Sequence, residues 1–256
     1  MKNSVGVLGG IGPLATVYFM DLIIRMTEAE TDQEHINMLV SNHATIPDRT
    51  DYILGKSEDS PLKDMTDDAK MLEEAGCLFI VIPCNTAHYF FEDIERSVKI
   101  PVINIIKETI RYAADKCCGK DRKESGTSSA SKASGSIKLG ILATEGTISS
   151  GTYSYYGKEE NVCCVAPDKE YQKKVNHIIY GCVKAGLPVD EKEVDEVIEH
   201  MRNKGCDAVI MGCTELSVVC EDMHLDKKYD FVVDSLKVLA MKTVTMYGKT
   251  LRSADL

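Results

Sequence analysis

The sequence predicts an α/β protein built from two pseudo-symmetric parallel-sheet domains, each a sheet covered by helices on both faces. Three observations predict it. First, blocks recur in one order at a spacing near half the chain: Ser4 to Gly12 lies over Lys138 to Gly146, Gly76 to Thr86 over Gly205 to Glu215, and Ile100 to Asn104 over Tyr229 to Val233. Second, each block is a short β-branched run ending in small or polar residues and followed by helical periodicity, the pattern of a buried parallel strand feeding a helix. Third, a chain of 256 residues with 44% hydrophobic and 27% charged residues suits one or two small globular domains and is long enough to bury a sizeable core.

Taken in order, the first strand falls near 4–8. Pro13 then opens a helix ahead of Leu14, Val17, Tyr18 and Ile24, since proline is pre-set for the first helical position. A strand near 37–41 follows, and a helix over Asp64 to Ala75 stops at Gly76, the residue that most readily ends a helix. Strands near 78–82 and 102–106 complete the first copy. The second offers strands near 138–142, 161–165, 207–211 and 230–233, with helices near 168–185 and 190–204. Alternating strands and helices imply parallel sheets. Between the copies the Ser/Gly/Lys-rich tract Gly119 to Ser136 buries no apolar area and reads as a linker. The expected domains are 1–116 and 137–234, with a linker over 117–136 and a last helix within 235–256 packing back on the first domain.

A formal net charge of -10 argues against nucleic acid and anionic membranes as partners, because no basic patch offsets it. The start of the chain, Met1 to Gly10, reads as no signal peptide, and no stretch reaches the roughly 20 apolar residues that span a bilayer. A cytoplasmic location is therefore expected, and the 10 cysteines should be reduced thiols. They form no CxxC motif, so neither a redox dithiol nor a metal site is expected.

Cys84 and Cys213 occupy the same place in the two copies, directly after a strand and at an expected helix start. A helix N-terminus favours a thiolate, so both thiols should be more acidic than a free cysteine. Ligands of parallel sheets bind off the carboxyl ends of the strands, and a cleft between two such domains would present both thiols to one ligand. The plain alternative is that each is a small apolar residue at a strand end, the reading given to Cys77, Cys182, Cys206 and Cys220. Two thiols flanking one carbon are what inversion at that carbon needs: one removes the α-proton while the other donates to the opposite face. Asn85, Thr86 and Thr214 are placed to donate hydrogen bonds to a developing enolate, and Thr144 and Thr147 are candidates for the ammonium or carboxylate.

Gly9-Gly10-Ile11-Gly12-Pro13-Leu14-Ala15-Thr16, Asp32-Gln33-Glu34-His35, Ile46-Pro47-Asp48-Arg49-Thr50, Pro83-Cys84-Asn85-Thr86-Ala87-His88 and Gly212-Cys213-Thr214-Glu215 resemble the aspartate racemase branch of the aspartate/glutamate racemase superfamily. The resemblance covers nearly the whole chain outside the Ser/Gly tract. It implies a cofactor-independent racemase with its active site in a cleft between two domains, Cys84 and Cys213 as acid/base pair, Gly10 and Ile11 in a substrate-binding glycine loop, and often a homodimer. Glutamate racemases usually carry an Asp-Ser pair in the first glycine loop and His after the second Cys-Thr. Here Gly9-Gly10-Ile11 and Glu215 stand instead, which favours aspartate, or a related acidic amino acid, over glutamate. Arg49 and Lys184 match basic positions associated with the substrate's carboxylates, and a dicarboxylate needs a fixed cation that Arg can supply bidentately. Glu215 is a candidate to orient Cys213 or bind the substrate amine, with a solvent-facing glutamate in a first helical turn as its plain alternative.

Other signals carry less. Gly10-Ile11-Gly12-Pro13-Leu14-Ala15 matches a dinucleotide fingerprint, but the next strand ends in Val40-Ser41-Asn42-His43 without an acid for a ribose. His88 reads as a packing or capping residue, and His35 and His43 have no ligand spacing. Alternatives to an aspartate racemase are a glutamate or broad-specificity racemase, a relative such as a maleate isomerase, and a non-catalytic amino-acid-binding or thiol-sensing protein.

Overall fold

A computed structural model describes residues 3–124 and 137–252, with side chains omitted at 120–124. Contacts divide the chain into two compact units, Met1–Ile105 with Leu236–Leu256, and Ile106–Ser235.

The first unit runs β1 (Ser4–Gly9), α1 (Pro13–Met26), β2 (Met38–Asn42), α2 (Arg49–Ile53), α3 (Leu62–Glu74), β3 (Cys77–Val81), α4 (Phe91–Ser97) and β4 (Val102–Ile103). Its sheet has the order β2-β1-β3-β4. All pairs are parallel, with Val7 opposite both Val40 and Val81 and Ile80 opposite Val102. Because helices cover both faces, β1 is buried along its whole length, which is why it reads as a continuous apolar run. On one face Leu8, Ile80 and Ile82 pack with Met65, Leu72 and Ile94.

Helix α1 buries Ala15, Phe19, Leu22, Ile23 and Met26. The periodicity read from Leu14, Val17 and Ile24 marks its outer face, where Leu14 and Val17 are 58% and 61% exposed. A helix apolar on two sides offers two stripes, and sequence alone picks either.

Helix α5 spans Ile105–Glu124. From Ile106 onward it belongs to the second unit: Lys107 pairs with Glu159 at 3.1 Å, Arg111 with Glu160 at 2.7 Å, and Lys116 Nζ donates to the Val232 carbonyl at 3.2 Å. The first unit thus stops at Ile105 where a domain reaching 116 was expected, and the expected linker over 117–136 is helical through Glu124. Its remainder, 125–136, lies outside the described residues.

The second unit continues with β5 (Ile137–Leu142), α6 (Glu145–Ser150), α7 (Thr152–Glu159), β6 (Val162–Val165), α8 (Lys169–Asn176), α9 (Glu191–Asn203), β7 (Ala208–Met211), α10 (Thr214–Asp222), α11 (Leu225–Lys228) and β8 (Val232–Asp234). Its sheet is parallel in the order β6-β5-β7-β8, the same order as the first. Val194, Val197, Ile198 and Met201 bury one stripe of α9, at the i, i+3, i+4, i+7 spacing. The helix expected over 168–185 is α8 followed by a π-helical segment, His177–Val183, closed by Lys184 N–H donating to Ile179 O at 3.0 Å. Gly181 permits this turn, since a Cβ there would lie 2.6 Å from the His177 ring.

Helix α12 (Ser235–Met246) leads back to the first unit. There Tyr247 Oη donates to the Asn3 carbonyl at 2.8 Å, Glu28 N–H to Thr250 O at 3.0 Å and Arg252 N–H to Met26 O at 2.8 Å. Among the described residues no helix is long and apolar enough to cross a membrane.

Candidate active site

Each unit carries its cysteine just past the carboxyl end of the equivalent strand, Cys84 after β3 and Cys213 after β7. Their local structures differ. Cys84 does not start an α-helix: a loop leads into a 3₁₀ turn, Thr86–Phe90, before α4. The reason is His88. An α-helical start would give the Cys84 carbonyl to the His88 N–H, but that N–H bonds Asn85 O at 3.0 Å and the ring Nδ1 takes Cys84 O at 2.8 Å. Cys84 therefore lacks the α-helical dipole expected for it. Cys84 is 7% exposed and shares an apolar cluster with Leu8, Ile11, Ile46 and Ile82.

Cys213 is the N-cap of α10, as expected, with its carbonyl accepting from Leu216 N–H at 2.9 Å. The expected acidic thiol is not found. Sγ is buried and donates to Glu215 Oε2 at 2.9 Å. Desolvation first, then the charge of Glu215 and the bond to it, push the thiol well above the ordinary cysteine value, while Lys184 pulls the other way. A thiolate here loses its water and faces a carboxylate, and together these outweigh the helix dipole.

Around Cys213, Thr214 Oγ1 donates to the same Glu215 oxygen at 3.4 Å and Lys184 Nζ lies 3.7 Å from Glu215 Oε1. Lys184 also rests 4.8 Å from the centre of the Tyr180 ring. Glu215 is 9% exposed, so it is not the solvent-facing residue of the plain alternative. Thr144 and Thr147 engage each other: Thr144 is the N-cap of α6, accepting from Thr147 N–H at 3.2 Å, and their hydroxyls lie 3.0 Å apart. Sequence reasoning missed Tyr153, whose hydroxyl would lie 3.1 Å from a Cβ at Gly212, next to Cys213. Its signal was no more than one tyrosine among 11.

In the first unit Gly10 has φ +83°, and a Cβ there would lie 2.3 Å from the His43 backbone nitrogen, so glycine is required on both counts. Its N–H donates to Thr16 Oγ1 at 2.9 Å. Ile11 turns its side chain into the core, 2% exposed. Asn85 and Thr86 are buried where the chain leaves Cys84. Arg49 opens α2 and is 9% exposed. Its Nη1 donates to Pro47 O at 3.0 Å and to Ile46 O at 3.3 Å, while its buried Nε has no partner among the described residues. A buried guanidinium with a spare donor is suited to an anion. Among the described residues no group of three or more His, Cys, Asp or Glu side chains is placed to hold a metal ion.

Residues 8–243 match the Asp/Glu/hydantoin racemase family. The chain belongs to that family. Isomerase and racemase are the activities that membership supports. A broad-specificity amino-acid racemase, RacX, from Bacillus subtilis (strain 168) is 27% identical over 247 residues, 95% of this chain and 97% of that relative. A glutamate racemase from Persephonella marina is 26% identical over 190 residues, 73% of this chain and 64% of that relative. Among solved structures, the aspartate racemase of Picrophilus torridus is similar with a TM-score of 0.76 and 30% identity, covering 99% of this chain and 97% of that one.

Proposed function

We propose that this family member interconverts L- and D-aspartate without a cofactor, by two-base proton transfer between Cys84 and Cys213. The observation that carries the reading is the repeat of one strand order in both units with a cysteine past the same strand in each. The reading requires the two sulfurs to face one α-carbon from opposite sides. In one direction the Cys84 thiolate takes the α-proton and the Cys213 thiol supplies a proton to the other face; the roles exchange in reverse.

The hydrogen bond to Glu215 suits Cys213 to begin as the thiol. Its raised pKa also suits the reverse step, because the α-proton of an amino acid is weakly acidic and a thiolate beside a carboxylate is a stronger base than a free one. Asn85, Thr86, Thr214 and nearby backbone N–H groups are the candidate donors for the enolate oxygens. Arg49, with its spare buried donor, is assigned to the side-chain carboxylate. Lys184 is shared with Glu215, so a substrate carboxylate there would share that cation, and Thr144 and Thr147 would act as a pre-formed pair.

Aspartate is favoured by Gly9-Gly10-Ile11 and Glu215 in the two loops and by the likeness to the Picrophilus enzyme. Near-complete coverage of RacX favours a second reading, broad specificity. Incubation with L-aspartate, L-glutamate and a panel of neutral amino acids in heavy water, followed by NMR and chiral chromatography, separates the two. Loss of the α-proton signal with formation of D-aspartate is expected. Full activity in the Cys84→Ala, Cys213→Ala double variant would overturn the mechanism.

The reading includes a homodimer in the cytoplasm, and the exposed apolar Leu14, Val17 and Ile24 on α1 suit cover by a second copy. Light scattering of Val17→Glu against the unmodified chain tests the dimer.

A further inference from the structure

The reaction proposed above leaves one buried imidazole unused. His88 is 2% exposed and packs its ring parallel to Phe91, centroids 5.6 Å apart. Nδ1 lies 2.8 Å from the carbonyl oxygen of Cys84, and Nε2 lies 3.1 Å from the backbone nitrogen of Ile105, the first residue of α5. A carbonyl only accepts, so Nδ1 carries the proton; an N–H only donates, so Nε2 keeps its lone pair. One neutral tautomer satisfies both bonds. Protonation would cost the Nε2 bond to the Ile105 N–H; backbone hydrogen bonds to Cys84 and Ile103 favour the proton, but burial outweighs them and holds the imidazole down to about 4.

We propose that His88 is a positioning residue for Cys84: it bridges the Cys84 carbonyl to the start of α5 and fixes the backbone from which the sulfur projects. The inference rests on Cys84 being one of the two bases. The bridge replaces the helical bond that would otherwise anchor this carbonyl, so the 3₁₀ turn depends on it. Without it the loop past β3 has one anchor fewer where proton transfer is most sensitive to placement.

Two variants test this. His88→Phe keeps a flat ring against Phe91 but removes donor and acceptor, whereas His88→Gln keeps one of each. For His88→Phe, kcat for aspartate should fall about 10- to 100-fold with KM within about threefold, the cost of misplacing a reacting group. Amide exchange at Ile105 should accelerate at least about tenfold, the loss of one protecting hydrogen bond. Alkylation of Cys84 by iodoacetamide, read by mass spectrometry, should change while that of Cys213 does not. His88→Gln should recover most of each. If His88→Phe leaves kcat, Ile105 exchange and Cys84 alkylation unchanged while circular dichroism shows it folded, the inference is overturned. If the unmodified protein exchanges no α-proton at all, the racemase reading fails, and Ile105 exchange with Cys84 alkylation still decides the bridge.

Discussion

Acidification should destabilise this protein through His88, and by an amount that can be worked out. The folded protein holds the imidazole at about 4 against an ordinary value of 6.5, because burial penalises the charged form. A depressed folded value means that the unfolded chain binds the proton more tightly. The stabilisation from the neutral ring is therefore whole above pH 6.5 and is lost as pH falls towards about 4. At 1.36 kcal/mol per pH unit the loss approaches about 3 kcal/mol, with a slope no steeper than about 1.4 kcal/mol per unit. With an m-value of about 2–3 kcal/mol per M, that lowers the urea midpoint by about 1–1.5 M. The assay is urea denaturation at intervals from pH 7 to pH 4.5 for the unmodified protein and for His88→Gln, which keeps a donor and an acceptor but does not titrate. Other acids and histidines titrate alike in both, so the difference between the profiles isolates His88. Parallel profiles would refute the reasoning.

Cys213 should stay a thiol past pH 9 and its thiolate absorbance should rise later than that of a free cysteine; Glu215→Gln, which removes the like charge, should move the midpoint down. Since the folded value is raised, the thiol's contribution to stability is present below the ordinary cysteine range and fades as pH climbs through it, which an alkaline urea series would show. Gly10→Ala should cost more than about 2 kcal/mol in thermal or urea unfolding, since it combines a left-handed backbone with a Cβ 2.3 Å from the His43 nitrogen. Arg49→Lys should raise KM for aspartate about tenfold or more, with a smaller effect on kcat, because a lysine keeps the charge but not the forked donors.

What the sequence revealed and what it hid divide along a physical line. Parallel strands sheathed on both faces are nearly uniform β-branched runs, so β1, β3, β5 and β7 are legible from hydrophobicity, and the duplication locates Cys84 and Cys213 from spacing alone. Hidden were features decided by one side chain choosing between acceptors. His88 takes the Cys84 carbonyl and turns an expected helix start into a 3₁₀ turn. Burial of Cys213, together with Glu215 accepting a hydrogen bond from its thiol, reverses the expected shift of that thiol. The inner face of α1 and the extent of α5 were hidden for another reason. Both depend on which neighbours the helix meets, and composition is silent about that.

The return of the chain to its beginning bears on how the molecule forms during synthesis. The unit that carries Cys213 is one unbroken stretch, Ile106–Ser235, whereas the unit that carries Cys84 recruits α12 and the strand-like pairing of Thr27 with Leu251. A ribosome emits the latter pieces after the whole of the second unit. Domains usually condense in order of emergence, but here Ile106–Ser235 can condense while Met1–Ile105 still awaits a partner segment, so the unit that emerges earlier is consolidated later.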